Sequence, residues 1–427
     1  MVRKLKFFIS LVLIVGFCLQ GCNKKNKDEQ NQIEVGSVSD LDIEKIMNSP
    51  YSTLKPEEQK VKLENQSIDF LNELKTVSSL QAIDAFEYFF KLLDIDVPEI
   101  DDPFKEGNAK SRIQLIFDLT NTYGVYTWDA KEKEWTKTNS NSELKLVFPS
   151  SSKSTSNNAS LSLNVKNSDA TITWIYEDYW DNDIYENIFL LPNYFSGILT
   201  VDNKQIAKVE VGAEYEKMNM FEIDGETVEG YYPVKTQLKI TTYEGFVYWH
   251  SVDGTGNDSR IEMQLSKGEK ILTETLFAMD IDFKKIVNEA TNGVENLLEL
   301  DKANVNGYMK LMEDLVIIYQ IDVANLANEI DRIESQYDSN TEQYCDQIAA
   351  ALAKYSKVIL ASIEDNHKIA DLTYKTKEDC DWWGCDYYIS TYLKFGDGTE
   401  VEAEAYFSDG FSKLESTWKD FVKAFER

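Results

Sequence analysis

The chain has 427 residues, and its 74 acidic side chains against 44 lysines and arginines give a formal net charge of −30. A field this negative repels nucleic acid and anionic headgroups, so neither is expected as a partner recognised through net charge. Hydrophobic residues make up 43% of the sequence. That fraction is enough for real cores in a chain long enough for about two or three domains.

Residues 1–21 have the order of an export signal. Three cations lie within the first six residues, and the apolar run 7–19 that follows is too short for a stable membrane-spanning helix. The run ends in Leu19-Gln20-Gly21-Cys22, which resembles the lipobox of bacterial lipoproteins. The resemblance implies cleavage before Cys22 and acyl chains such as palmitate on that cysteine. It also implies anchoring in the bacterial cell envelope, with the outer membrane and a periplasmic or surface-facing body expected. An uncleaved helix or an ordinary secretory signal are the alternatives.

The segment after the lipobox predicts a tether and then helices. Residues 22–38 are expected to be flexible, because 23–32 are polar throughout and cannot bury a core. Residues 39–104 are predicted to form N-terminal helices, with Pro56 and two acids starting one of them. The acidic stretch 94–103 lacks the spacing of a calcium loop, so a solvated linker is favoured over a cation site.

Residues 111–281 predict an antiparallel sheet. The clearest strand, 205–215, alternates Ala, Val and Tyr on one face with Lys and Glu on the other. One buried and one wet face is typical of an antiparallel sheet, and Asp202-Asn203 is a hairpin signal between two such runs. Successive hairpins without intervening helices predict a curved β-meander.

The last third of the chain is predicted to return to helices and then to end in a small mixed unit. Apolar residues at helical spacing indicate a helical hairpin or bundle over 282–366. Residues 367–427 predict strands 369–375, 386–395 and 399–407 followed by a closing helix with Leu414, Trp418 and Phe421 on one side. The fold class expected is therefore α+β, with helices before and after an antiparallel β-meander and a C-terminal β-hairpin and helix unit. A faint repeat between 201–215 and 395–406 is better explained by two separate hairpins of common design than by two related halves.

Two aromatic and acidic loops are candidate binding sites. Aromatic rings stack on the C–H faces of sugars, and carboxylates accept hydroxyl protons, so such loops suit a carbohydrate. Calcium binding and plain packing of the rings on the sheet are the alternatives. The candidate residues are Tyr176, Tyr179, Trp180, Asp181, Asp183 and Tyr185 in the first loop and Trp382 and Trp383 in the second.

Little in the sequence points to catalysis, a metal or a cofactor. Cys380 and Cys385 flank the second loop and could form a disulfide in an exported chain, while Cys345 is expected to be a small core residue. His250 alternates with Tyr248 and is expected to face solvent or a partner strand. A single histidine without an orienting partner is weak evidence for a general base. No catalytic residues, metal ligands or cofactor are predicted.

These features lead to two functional hypotheses. The first is a non-enzymatic, membrane-anchored lipoprotein that binds an apolar or lipid-like ligand in the helix-covered sheet. The second is a surface adhesion module that binds carbohydrate or protein through the Tyr/Trp/Asp loops. The order of lipobox, acidic body, helices and sheet also resembles uncharacterised Bacteroidota-type lipoproteins, a resemblance that implies no activity.

Overall fold

The structure is a computed structural model. It describes residues 33–92, 123–140, 142–177, 184–223, 226–255, 258–280, 303–339, 341–380, 385–408 and 411–424. Cys22 and the predicted signal lie outside this part of the chain. None of the described helices is long and apolar enough to cross a membrane.

A single sheet of sixteen strands organises the described chain, and the predicted α+β class is confirmed. Neighbouring strands are antiparallel except β1 and β3, and the spatial order is β2-β1-β3 and then β4 to β16 in sequence. The strands are β1 (Gly124–Asp129), β2 (Glu134–Thr138), β3 (Leu144–Phe148), β4 (Ala159–Glu177), β5 (Ile184–Val201), β6 (Lys204–Ile223), β7 (Glu226–Thr242), β8 (Phe246–Asp253), β9 (Ser259–Lys267), β10 (Lys270–Asp280), β11 (Asn304–Leu311), β12 (Leu315–Asp322), β13 (Ser356–Ser362), β14 (His367–Cys380), β15 (Cys385–Phe395) and β16 (Glu400–Glu402).

Helices precede, interrupt and follow this sheet. Two of them begin with capping hydrogen bonds. The Glu58 carboxylate accepts a hydrogen bond from the backbone N–H of Lys55 at the start of the first long helix, and the side chain of Thr341 caps a later helix. The described helices are α1 (Ile43–Met47), α2 (Pro56–Lys75) continued by a 3-10 turn (Thr76–Ser79), α3 (Gln81–Leu92), α4 (Val323–Glu334), α5 (Glu342–Tyr355), α6 (Ala403–Ser408) and α7 (Ser412–Ala424).

The strand register confirms the predicted hairpin at Asp202-Asn203. Both residues have positive φ, the geometry of a two-residue turn that matches strand twist. The long hairpins β4–β5 and β6–β7 then change neighbours along their length. Near the turn β5 pairs with β6, whereas farther out Ile172–Ile175 of β4 pairs with Thr227–Gly230 of β7.

The helical prediction for 282–366 is wrong for the residues that form β11, β12 and β13. Leu311, Leu315 and Ile318 fit helical spacing, but they belong to two paired strands. The sequence Leu315-Val-Ile-Ile-Tyr is apolar on both faces of its strand, and periodicity cannot separate such a run from a buried helix. Helices do follow at α4 and α5, and residues 281–302 lie outside the description.

Two smaller corrections concern the ends. Residues 33–38 belong to the predicted tether, yet Ile33 and Val38 are buried against the sheet because this piece is apolar where 23–32 is polar. The predicted strand 399–407 is a strand only over Glu400–Glu402. Its second half is α6, since Ala-Glu-Ala favours a helix once pairing with β15 ends.

The two faces of the sheet have different covers. We call residues 33–51 the N-terminal strap; it packs on the face that carries Trp249, Tyr308 and Ile318. The opposite face carries Leu161, Leu199 and Ala207 under α3 and Leu360 and Leu393 under α2. This second surface is called the helix-side face below.

Candidate functional site

Helix α2 is fixed across the strand ends by a buried carboxylate. Asp314, in the β11–β12 turn, lies 2.8 Å from the Lys62 ammonium and accepts a hydrogen bond from the Gln66 amide at 2.7 Å. The Ser362 hydroxyl and the backbone N–H of Glu364 also donate to it. Burial alone would raise the pKa of Asp314, but these donors outweigh it and lower the pKa. The carboxylate therefore stays charged and holds α2 against the sheet.

The far end of α2 is fixed by a second set of ion pairs. Glu73 lies 3.0 Å from the ammonium groups of both Lys267 and Lys270, on β9 and β10. A helix of 20 residues is about 30 Å long, and six strand spacings are about 29 Å. The helix thus reaches from β14 to β8 over one end of the helix-side face.

The C-terminal helices are in turn bound to α2. The Glu64 carboxylate accepts hydrogen bonds from the backbone N–H groups of Lys413 and Leu414, which are unpaired donors at the start of α7. The Tyr406 hydroxyl donates to the carbonyl of Pro56 at 2.8 Å. Residues more than 300 positions apart in the chain therefore form one rigid wall.

Between these helices and the sheet lies a cavity of about 580 Å³. This volume is within the range of small-molecule sites. Phe407 and Trp418 are 50% and 46% exposed although both are large and apolar. Polar groups are confined to two serines and a glutamate. The cavity lining consists of Ser67, Phe70 and Leu71 of α2, Leu311 of β11, and Phe407, Ser408, Phe411, Leu414, Glu415 and Trp418 of the C-terminal segment.

The cavity floor continues onto an open apolar part of the helix-side face. Cross-strand register places eight residues in one row, from β6 to β13. The ends of the row are buried, whereas Met309 and Ile317 in its middle are 51% and 41% exposed. Both neighbours of Ile317 in β12 are fully buried on the opposite face. The row is Val211, Leu238, His250, Met263, Thr275, Met309, Ile317 and Leu360.

Exposed apolar residues in a contiguous row differ from the scattered ones found on any surface. Leu311, in the cavity floor, lies two positions from Met309 on the same strand and face. The cavity and the row therefore form one continuous apolar surface. Such a surface can hold a nonpolar chain.

The predicted loop residues are not brought to this surface by any described contact. Tyr176 and Tyr185 are register partners in β4 and β5, while Tyr179, Trp180, Asp181 and Asp183 lie outside the described residues. Trp382 and Trp383 also lie outside them. Cys380 and Cys385 are direct partners in the register of β14 and β15. Cys345 is free and buried in α5, as predicted.

The sequence contains only part of the signal for the cavity. Leu414 and Trp418 are on one side of the closing helix as predicted, but the sequence predicts Phe407 in a strand and Leu311 in a helix. The continuous apolar run of β12 is the one local sign that both faces of the sheet need a cover. Among the described residues, no three His, Cys, Asp or Glu side chains are grouped to hold a metal ion.

No family model, curated protein or solved structure shows a significant match to this chain, so its function is argued from the cavity and the open row.

Proposed function

We propose that this protein binds an apolar, lipid-like molecule in the cavity between α2, α6 and α7. The observation that carries the proposal is the cavity itself: about 580 Å³, lined mainly by apolar side chains, with Phe407 and Trp418 left half-exposed. Burying an aromatic or aliphatic side chain contributes roughly 1.5–3 kcal/mol. Because these two residues are half-exposed, part of that free energy is still to be gained, and a ligand that covers them would gain it.

The rigid walls support binding rather than collapse. A cavity lined by movable side chains would close, whereas α2 is held by Asp314 and Glu73 and α7 is held by Glu64. Pre-formed sites of this kind lose little free energy to ordering when a ligand enters. The N-terminal lipid on Cys22 is part of the same proposal: it keeps the binding body beside a bilayer, in the cell envelope.

The test is native mass spectrometry of the chain purified from its own host, together with titration by the neutral apolar fluorophore N-phenylnaphthylamine. We expect a co-purifying molecule of defined mass and saturable fluorophore binding. Ser67→Trp places an indole in the cavity and should abolish both. Asn65→Trp adds the same indole at an exposed position of the same helix, away from the cavity lining, and should change neither.

A bare protein mass combined with no saturable fluorophore binding would refute the ligand proposal. Unchanged binding in Ser67→Trp would place the binding outside the cavity, and equal loss in Ser67→Trp and Asn65→Trp would show that filling the cavity is not the cause of the loss. Far-UV circular dichroism of both variants establishes that they fold. Metabolic palmitate labelling tests the anchor separately. Labelling that persists in Cys22→Ser would show that Cys22 is not the lipidated residue.

A further inference from the structure

One polar ring interrupts the open row of the helix-side face. His250 of β8 lies between Leu238, which is fully buried, and Met263 in the register. Its ring centroid is 6.1 Å from that of Tyr248. His250 is expected to face solvent or a partner strand, and the strand turns its side chain to the helix-side face beside its register partners Leu238 and Met263, where it is half-buried.

The imidazole nitrogens of His250 lack partners among the described residues. Nδ1 is shielded from solvent and has no hydrogen-bond partner. No described residue hydrogen-bonds to Nε2. Burial lowers the pKa of His250 to about 4, so the ring is neutral near pH 7 and carries a single N–H.

The position of that single proton follows from the cost of burying it. A shielded N–H without an acceptor is rarer in proteins than a shielded acceptor without a donor. We therefore assign the proton to Nε2 and the lone pair to Nδ1. The ring then presents one hydrogen-bond donor within an apolar row.

We infer that His250 is a specificity-determining residue that donates a hydrogen bond to an oxygen of the bound molecule. This inference rests on the proposed function. His250 is three strand spacings and two residues along the strand from Leu311 in the cavity floor, which is roughly 16 Å across the sheet. The ligand class is a long apolar chain with a hydroxyl or carbonyl oxygen at that distance from the end held in the cavity.

A purely hydrocarbon ligand does not fit the same observations. Leucine or methionine at position 250 would offer such a ligand only apolar contact, whereas the imidazole places a hydrogen-bond donor, Nε2–H, in the row. A charged headgroup at this position is also disfavoured, because the imidazole is neutral and lies among apolar neighbours.

The experiment measures displacement of N-phenylnaphthylamine from the full chain by dodecanol and by chlorododecane, which share shape and differ in hydrogen bonding. In His250→Leu we expect dodecanol affinity to fall about three- to tenfold, the range of one net hydrogen bond, while chlorododecane affinity stays unchanged. His250→Gln supplies an N–H donor and should retain dodecanol binding. His367→Leu changes the other histidine of the chain and should alter neither affinity.

The outcomes distinguish the role of His250 from the proposed binding of an apolar ligand. Unchanged dodecanol affinity in His250→Leu, with the fluorophore still bound, overturns the role of His250 and leaves the apolar site standing. Parallel loss of both compounds overturns it as well, since a packing defect would act on both. Failure of the wild-type chain to bind the fluorophore or either compound refutes the proposed function itself. If His250→Leu does not fold, His250→Met gives the same comparison.

Discussion

The buried ion pair beneath the N-terminal strap gives the sharpest stability prediction. Glu274 of β10 and Lys310 of β11 lie 2.6 Å apart, and both are buried. The backbone N–H of Ser39 and the Gln264 amide also donate to Glu274, and the Lys310 ammonium donates to the Ser39 hydroxyl. The strap therefore closes over a charged pair and its two polar partners, Ser39 and Gln264.

Removing one member of this pair leaves the other charge buried and uncompensated. Glu274→Gln keeps the side-chain shape and removes the charge, so we expect a loss of about 3–5 kcal/mol in the free energy of unfolding. Lys310→Met should cost a similar amount. The double variant should be less destabilised than the sum of the two, because it leaves no buried charge.

The assay is urea unfolding of the four chains, followed by tryptophan fluorescence. With an m-value of about 3 kcal/mol/M for a protein of this size, the single variants should unfold at a midpoint about 1 M or more below wild type. Glu132→Gln, in the exposed Lys131–Glu132 pair, is the control and should not move the midpoint. Single variants within about 0.2 M of wild type, or strictly additive effects, would refute the reasoning.

The same pair predicts an acid dependence. Burial alone would raise the pKa of Glu274, but Lys310, Ser39 and Gln264 outweigh it and lower the pKa below its ordinary value of 4.5. A group whose pKa is lower in the folded state contributes stability above its unfolded pKa and loses it as pH falls through the folded value. The difference in the free energy of unfolding between wild type and Glu274→Gln should therefore be largest at neutral pH and should decrease below about pH 4.5. A gap that is constant with pH would contradict this assignment.

Two further predictions concern single positions in the sheet. Gly307→Ala should lower the melting temperature by several degrees, because a Cβ there would lie 2.0 Å from the carbonyl oxygen of Leu276, whereas a Cβ at Gly197 comes closest to the flexible end of Leu163, at 3.3 Å, and Gly197→Ala should be nearly neutral. Cys380 and Cys385 should form a disulfide under oxidising conditions, because their register places them opposite each other, and alkylation of either one in the denatured, unreduced chain would rule it out.

Much of the sheet could be predicted because its strands alternate. Val209 and Val211 on one face and Glu210 on the other fix both the period and the buried side of β6, and the Asp202-Asn203 turn fixes its partner. The same reasoning fails at β12, where apolar residues occupy both faces and the period disappears. Alternation identifies a strand that has one solvent-exposed face. It gives no signal for a strand whose two faces are both buried.

The cavity could not be predicted because its walls meet only in three dimensions. Leu311, Ser67 and Trp418 belong to a strand and two helices separated by hundreds of residues, and no local pattern links them. The role of His250 depends likewise on register: its alternation with Tyr248 gives the shared face, but only the pairing of β7, β8 and β9 places the ring between Leu238 and Met263.

The two covers of the central strands explain why one face is left open. Strand β12 is apolar on both faces, and the N-terminal strap covers the face that carries Trp249, Tyr308 and Ile318 with Val38, Ile46 and Met47. On the other face, helices cover the strand ends but leave Met309 and Ile317 exposed. An exposed apolar row would favour association with other chains unless something occupies it. The proposed lipid-like ligand would satisfy that requirement, and because it would bind only the folded sheet, it would also stabilise the fold that forms its site.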